Sequence, residues 1–234
     1  MLLLGLDTAT PAVTVALHDG GQPLAQLVTV DAHRHAELLA PAIAKVIADA
    51  GVERGDLTGV AVGVGPGPYT GLRVGIMTAK VFGAALGIPV YGVCTLDVIA
   101  ADVESGGDFL VATDARRREL YWARYDHAGL RLSGPQVSAP ADIPQPDRDL
   151  LTAGEGCLLY PSFLRNGLGP TYPAAATVCR VVIAALAARG EGSEGGHAGV
   201  GGGPANSGVL LPAEPLYLRR PDAREPGTPK RVSR

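Results

Sequence analysis

Residues 63–75 (Gly63-Val64-Gly65-Pro66-Gly67-Pro68-Tyr69-Thr70-Gly71-Leu72-Arg73-Val74-Gly75) combine glycines, prolines and a hydroxyl in a spacing that invites phosphate chemistry. They follow an apolar, β-branched run from Leu57 to Val64 and open a segment with helical spacing, which reads as a strand–loop–helix junction. Backbone N–H groups and the helix dipole favour anions at such junctions. The residue types argue against that use. A P-loop ends in Gly-Lys-Ser/Thr, and no lysine lies between Lys45 and Lys80. A dinucleotide fingerprint started at Gly65 needs glycine where Thr70 stands. Pro66 and Pro68 also remove two N–H donors from any phosphate cradle. Gly65, Pro66, Gly67 and Thr70 therefore read as a structural turn.

Other chemically capable residues are scattered. His33 and His35 are the close histidine pair; on a helix, two positions put them roughly 200° apart, so they could share a metal only on an extended strand. Asp7 closes an apolar run, a place where a carboxylate serves either catalysis or the hydrogen bonding of the following hairpin. Arg116, Arg117 and Arg118 could meet a phosphate backbone, or form a solvated turn paired with Glu119. Arg73 sits in the first turn of a helix, where a cation opposes the dipole, and this misfit calls for a partner carboxylate. No Gly-x-Ser-x-Gly or HExxH occurs.

The elements that must position these groups follow from periodicity. Apolar runs at 2–6, 13–17 and 24–30, the last two split by Asp19-Gly20-Gly21, predict a three-stranded meander. A helix over 35–50 carries Leu39, Ile43 and Val46 on one side. A strand at 57–64, a helix at 71–86, a strand at 90–94 and a helix over roughly 95–104 complete the first lobe, residues 1–104. Strands at 109–113, 119–125 and 149–153, a Pro-rich irregular stretch at 135–146 and a helix at 174–189 make a second, smaller α/β lobe, 105–189. Nine of the nineteen residues at 190–208 are glycine, too many for a core, so this is a flexible linker. Residues 209–234 comprise a docking segment and a basic tail.

Gly71, Gly75, Ala79, Gly83 and Gly87 recur every fourth residue and stack into one stripe on their helix. Each interior glycine costs about 1 kcal/mol against alanine, a loss that close backbone approach can offset. Two uses are open: packing within the same subunit, or an interface with another chain.

Composition narrows the classes. The chain of 234 residues is 47% hydrophobic and 18% charged, with net charge −3; it is globular and has no global pull towards nucleic acid or membrane. Three cysteines without CxxC spacing, Cys94, Cys157 and Cys179, argue against a disulfide framework or zinc knuckle. The first residues lack a signal-peptide pattern. A cytoplasmic protein is expected, with no membrane association.

Leu4-Gly5-Leu6-Asp7-Thr8-Ala9-Thr10 followed by a hairpin resembles the first turn of the actin and sugar-kinase superfamily. The run Gly65 to Gly75 is similar to the signature shared by TsaB and TsaD, actin-like subunits of the bacterial tRNA threonylcarbamoyladenosine machinery. The likeness to the TsaB (YeaZ) family is the closer one, extending to 35–43, to Asp114-Ala115-Arg116 with Glu119-Leu120-Tyr121, and to Pro215-Leu216-Tyr217-Leu218-Arg219. It implies an α/β, two-lobed actin-like (ribonuclease H-like) fold with mixed sheets and flanking helices. It also implies a non-catalytic scaffold without cofactor or metal, serving threonylcarbamoyl transfer to N6 of the adenosine beside the anticodon in tRNAs reading ANN codons. Its partners would be a TsaD-like catalytic subunit, a TsaE-like ATPase, tRNA through the complex, and a second copy in a homodimer. Where TsaD carries two metal-binding histidines four residues apart, this chain has Thr95 and Ile99. The expected partner contacts are His35, Leu39, Gly71, Arg73, Gly75, Ala79 and Gly83, with Arg116, Arg117 and Arg118 towards tRNA. The alternative is a free-standing ATP-dependent enzyme of the same superfamily.

Overall fold

Strand β1 (Leu3–Asp7) is apolar up to its last residue and buried throughout, as are β2 (Ala12–His18) and β4 (Gly59–Gly63). Near-continuous apolar runs of this kind belong at the centre of a sheet covered on both faces. The computed structural model describes residues 1–165, 167–191 and 210–219. The linker expectation falls almost wholly outside these residues, and the basic tail beyond Arg219 falls wholly outside them.

The first sheet runs β3-β2-β1-β4-β5, with β3 at Pro23–Val30 and β5 at Val90–Val93. The meander pairs antiparallel and β1-β4-β5 pair parallel. Helices α1 (His35–Ala50) and α2 (Tyr69–Leu86) supply the crossovers. The pleat sorts the side chains: Leu4, Leu6, Val60 and Val62 join Leu39, Ile43, Val46, Leu72 and Ile76 in one core. Leu3, Ala61 and Val93 face the other way.

The second sheet runs β8-β7-β6-β9, built from β6 (Phe109–Asp114), β7 (Leu120–Tyr125), β8 (Arg131–Ser138) and β9 (Leu151–Ala153). Its pairing repeats the first four strands of the other sheet: two antiparallel neighbours on one side of β6 and a parallel one on the other. Strand β8 extends through Ser138, into the start of the Pro-rich stretch 135–146 that was expected to be irregular. It is an edge strand, where Pro135 removes no donor the sheet requires.

Helix α3 (Thr95–Ala100) ends sooner than its spacing suggests, and all six of its residues are buried. It lies between the lobes: Leu96 and Ile99 pack with Phe109, Val111 and Tyr125, whereas Val98 joins the first-lobe core. The short helices α4 (Gln145–Arg148) and α5 (Gly156–Leu159) were not legible in the sequence. Helix α6 (Ala175–Glu191) corrects the domain division. Instead of covering the second sheet, it closes the open face of the first, through Val178, Cys179 and Val182 against Leu3, Ala61 and Val93. Gly5 permits the approach, because a Cβ there would meet Ala175 O and Cys179 Sγ. Among the described residues no helix is long and apolar enough to cross a membrane.

Candidate partner interface

The glycine stripe of α2 faces inward. Gly71, Gly75, Ala79 and Gly83 are all buried. A Cβ at Gly71 would strike Thr8 O, one at Gly75 would strike Thr8 Oγ1, and one at Gly83 would strike Val90 Cγ2. Thr8 Oγ1 also donates to Gly71 O at 2.7 Å, tying the first turn of the chain to the start of α2. These four positions, and Leu39 in the core at 1% exposure, are corrected as partner contacts: their small or apolar side chains serve packing against the chain's own sheet.

The outward face of the same two helices exposes apolar and small side chains. On α2, Tyr69, Arg73, Met77 and Val81 recur every fourth residue and are exposed, Met77 at 56% and Val81 at 60%. On α1, Ala36, Ala40, Ala44 and Ala48 do the same. Between the helices lies a groove of about 480 Å³, floored by Ile43, Ile47 and Phe82 and edged by Ala40, Ala44 and Thr78. Small side chains beside a groove let another helix come close, and apolar groups in such a patch favour association. Spacing alone could have flagged these residues, since both stripes have the helical four-residue period.

The Gly/Pro turn joins three elements. Gly65 takes φ +98°, its N–H donates to Thr95 Oγ1 at 3.1 Å, and its carbonyl accepts from Thr95 N at 2.8 Å. Gly67 lies against Ala9, with no room for a Cβ. Asp7, wholly buried, accepts 2.7 Å bonds from Ala9 N–H and Thr95 Oγ1–H. Burial pushes its carboxyl up to about 6, and the two donors pull the other way. His35 Nε2 lies 2.8 Å from Thr10 O, fastening the start of α1 to the same first turn. A small pocket of about 230 Å³ opens there, lined by Thr8, Thr10, His33, His35, Thr70 and Arg116 among others, below the usual range of small-molecule sites.

Residues 28–160, which include both helices, match the family model described as TsaD: tRNA N6-adenosine threonylcarbamoyltransferase. The solved structure of YeaZ from Pseudomonas aeruginosa superposes with TM-score 0.70 at 28% identity, covering 93% of this chain and 99% of that one. The tRNA threonylcarbamoyladenosine biosynthesis protein TsaB of Escherichia coli is 38% identical over 136 residues, 53% of this chain and 55% of that protein. An uncharacterized protein of Mycobacterium tuberculosis is 45% identical over 226 residues, 95% of this chain and 93% of its own length. The chain belongs to the TsaD family, on its TsaB (YeaZ) branch. Its fold is the two-lobed, actin-like α/β one.

In this TsaB-family chain the remaining candidates are engaged as follows. Among the described residues Arg73 meets no carboxylate: its guanidinium lies 3.7 Å from the centre of the Tyr69 ring and hydrogen-bonds the Tyr69 hydroxyl, and its Nε reaches Tyr217 Oη at 3.3 Å. Tyr69 and Tyr217 stack at 5.1 Å. Arg116, Arg117 and Arg118 form an exposed turn between β6 and β7, all three at positive φ (61°, 55° and 64°). Arg116 pairs with Asp114 at 3.2 Å, and Glu119 pairs instead with Arg219. Sequence reasoning missed the interlobe cluster on α3. Asp97 accepts from Tyr125 Oη at 2.7 Å and faces Arg131 at 3.5 Å. Burial raises the Asp97 carboxyl, and the Arg131 charge opposes that rise.

Proposed function

We propose that this chain is the non-catalytic partner subunit of a TsaD-type threonylcarbamoyltransferase, acting on N6 of the adenosine beside the anticodon in tRNAs reading ANN codons. The exposed apolar face of α1 and α2 carries the reading: two helices whose inward sides are already filled present Ala40, Ala44, Met77 and Val81 to solvent around a groove. The names borne by the relatives support the pathway. On this reading the TsaD-like subunit supplies the chemistry, a TsaE-like ATPase joins the assembly, tRNA arrives through the complex, and the whole works in the cytoplasm. The free subunit covers the same face by forming a homodimer. The first turn serves positioning, since its carboxylate is sealed against Thr95 and Ala9.

Met77→Asp and Val81→Asp test it. Each places a charge on a position exposed in the monomer, so the monomer keeps its fold, read by circular dichroism, while the homodimer is lost with any stability it adds. Co-elution with the TsaD-type subunit of the same organism should drop by tenfold or more, and tRNA threonylcarbamoylation by the mixture should fall with it. Unchanged co-elution, or transfer by the lone chain, overturns the proposal.

A further inference from the structure

Arg73 is the one charged residue in the exposed stripe of α2. Its neighbours there, Tyr69, Met77 and Val81, are uncharged, and α2 has no acidic residue in any of its eighteen positions. The guanidinium is nevertheless held from two sides. Tyr69, one turn back on the helix, sets its ring 3.7 Å from the guanidinium carbon, a cation–π contact. Tyr217, 144 positions away in sequence, accepts from Arg73 Nε–H at 3.3 Å and stacks on Tyr69 at 5.1 Å. Residues 210–219, which carry Tyr217, form a strap fixed by its own backbone. Leu211 exchanges hydrogen bonds with Gly92 at 2.9 and 3.0 Å, and Leu216 N–H donates to Val64 O at 2.8 Å.

A long side chain ordered before docking loses little entropy when a partner arrives. Two of the five N–H donors of Arg73 meet the hydroxyls of Tyr69 and Tyr217, so three stay open. Among the described residues no carboxylate reaches them. When another protein covers Met77 and Val81, water leaves those donors too, and a cation sealed in without an acceptor is strongly unfavourable. Whatever settles on this face must therefore bring an anionic oxygen to Arg73. A carboxylate meets an arginine through paired N–H donors, which makes the contact directional as well as attractive.

We propose that Arg73, braced by Tyr69 and Tyr217, is the specificity anchor of the α1–α2 face: it takes a carboxylate of the TsaD-type subunit and thereby favours that subunit over a second copy of this chain. The proposal rests on the partner-subunit reading above and names the chemistry by which the partner is chosen. A second copy is poorly equipped for the role. A two-fold contact uses one patch twice, so the copy brings another Arg73 and an α2 without acids. Its α1 offers Glu37 in the first turn and Asp49, which Lys45 already holds at 2.9 Å. Repulsion between like charges in the wrong pairing and attraction in the right one are the two halves of such a choice. Arginine and tyrosine are also the residue types that most often dominate the energetics of protein interfaces.

The test compares the full chain with Arg73→Gln, Arg73→Lys and, as a reference, Met77→Asp. Calorimetry gives the affinity for the TsaD-type subunit of the same organism, and sedimentation equilibrium gives the self-association constant, each between about 50 and 500 mM salt. Arg73→Gln should weaken the mixed complex about thirtyfold at about 0.1 M salt and flatten its salt dependence, with circular dichroism unchanged. Arg73→Lys, which keeps the charge but not the planar fork, should fall between Gln and wild type. Self-association should hold within about twofold or tighten in Arg73→Gln, because the variant loses a repulsion. Equal weakening of both assemblies overturns the anchor, since a packing role would act on either, and so does a Lys variant no better than Gln. If Arg73→Gln binds like wild type while Met77→Asp does not bind, the anchor falls and the proposed function stands. If the wild-type chain does not bind that subunit, both fall.

Discussion

Thr95 Oγ1 donates a 2.7 Å hydrogen bond to Oδ2 of Asp7, across 88 positions of sequence. The bond links the end of β1 to the start of the interlobe helix, and Thr95 Oγ1 in turn accepts from the Gly65 N–H of the Gly/Pro turn. Three elements thus depend on one buried carboxylate, and each consequence below follows from a contact of this kind.

Asp7 should make stability depend on pH. Its folded carboxyl titrates at about 6 because burial disfavours the charge, whereas in the unfolded chain it titrates at about 4. The folded state therefore holds the proton more tightly, and stability falls as pH rises from about 4 to about 6, by about 3 kcal/mol from this group alone. Asp7→Asn removes that contribution. Urea unfolding at a series of pH values should show the wild-type-minus-Asn difference declining across this window and flat above it. A difference independent of pH contradicts the assignment.

Gly75→Ala should destabilise the monomer although alanine is the better helix former. The helix gains about 1 kcal/mol of propensity, but the new methyl meets Thr8 Oγ1 and, at 3.6 Å, Leu6 Cδ1. Overpacking of that kind costs about 1–3 kcal/mol, so a net loss of about 1 kcal/mol is expected. In a Thr8→Ala background the obstacle is gone and the same change should stabilise. Four urea curves complete the cycle; a stabilising Gly75→Ala in the wild-type background would show that the stripe is not closed by Thr8.

Arg131→Met should cost about 3 kcal/mol at neutral pH, since it strips the buried Asp97 of its counter-charge. Asp97 already has a raised carboxyl, and losing the cation raises it further, so the penalty should shrink as the pH falls and the group protonates. Adding Asp97→Asn should recover most of the loss at neutral pH, Tyr125 still having an oxygen to donate to. Equal penalties at pH 5 and pH 8, read by thermal or urea unfolding, would place the effect of Arg131 elsewhere.

Much of the fold was legible because local periodicity reports it. The meander, α1, α2, the strands at β4 to β7 and the Gly/Pro turn all follow from alternation, four-residue spacing and backbone-restricted residues. The candidate site was only half legible. The spacing of Gly71, Gly75, Ala79 and Gly83 showed that they share a face, and spacing carries no information about what lies opposite it. Spacing therefore leaves open whether the stripe meets the chain's own sheet or another chain, and it assigns nothing to Met77 and Val81 on the outer face.

By itself, then, the sequence determined the order and type of most elements, the tight turn at Gly65–Pro68 and the lopsided charge of the last sixteen residues, all properties of neighbours along the chain. The tertiary structure decided the pairings between distant residues: Asp7 with Thr95, α6 with the first sheet, Arg219 with the hairpin at Glu119. Each of these depends on the direction in which a packed element leaves the sheet, and on which side chains its pleat then turns to meet it. No local pattern encodes that, because the contact exists only once both partners are in place.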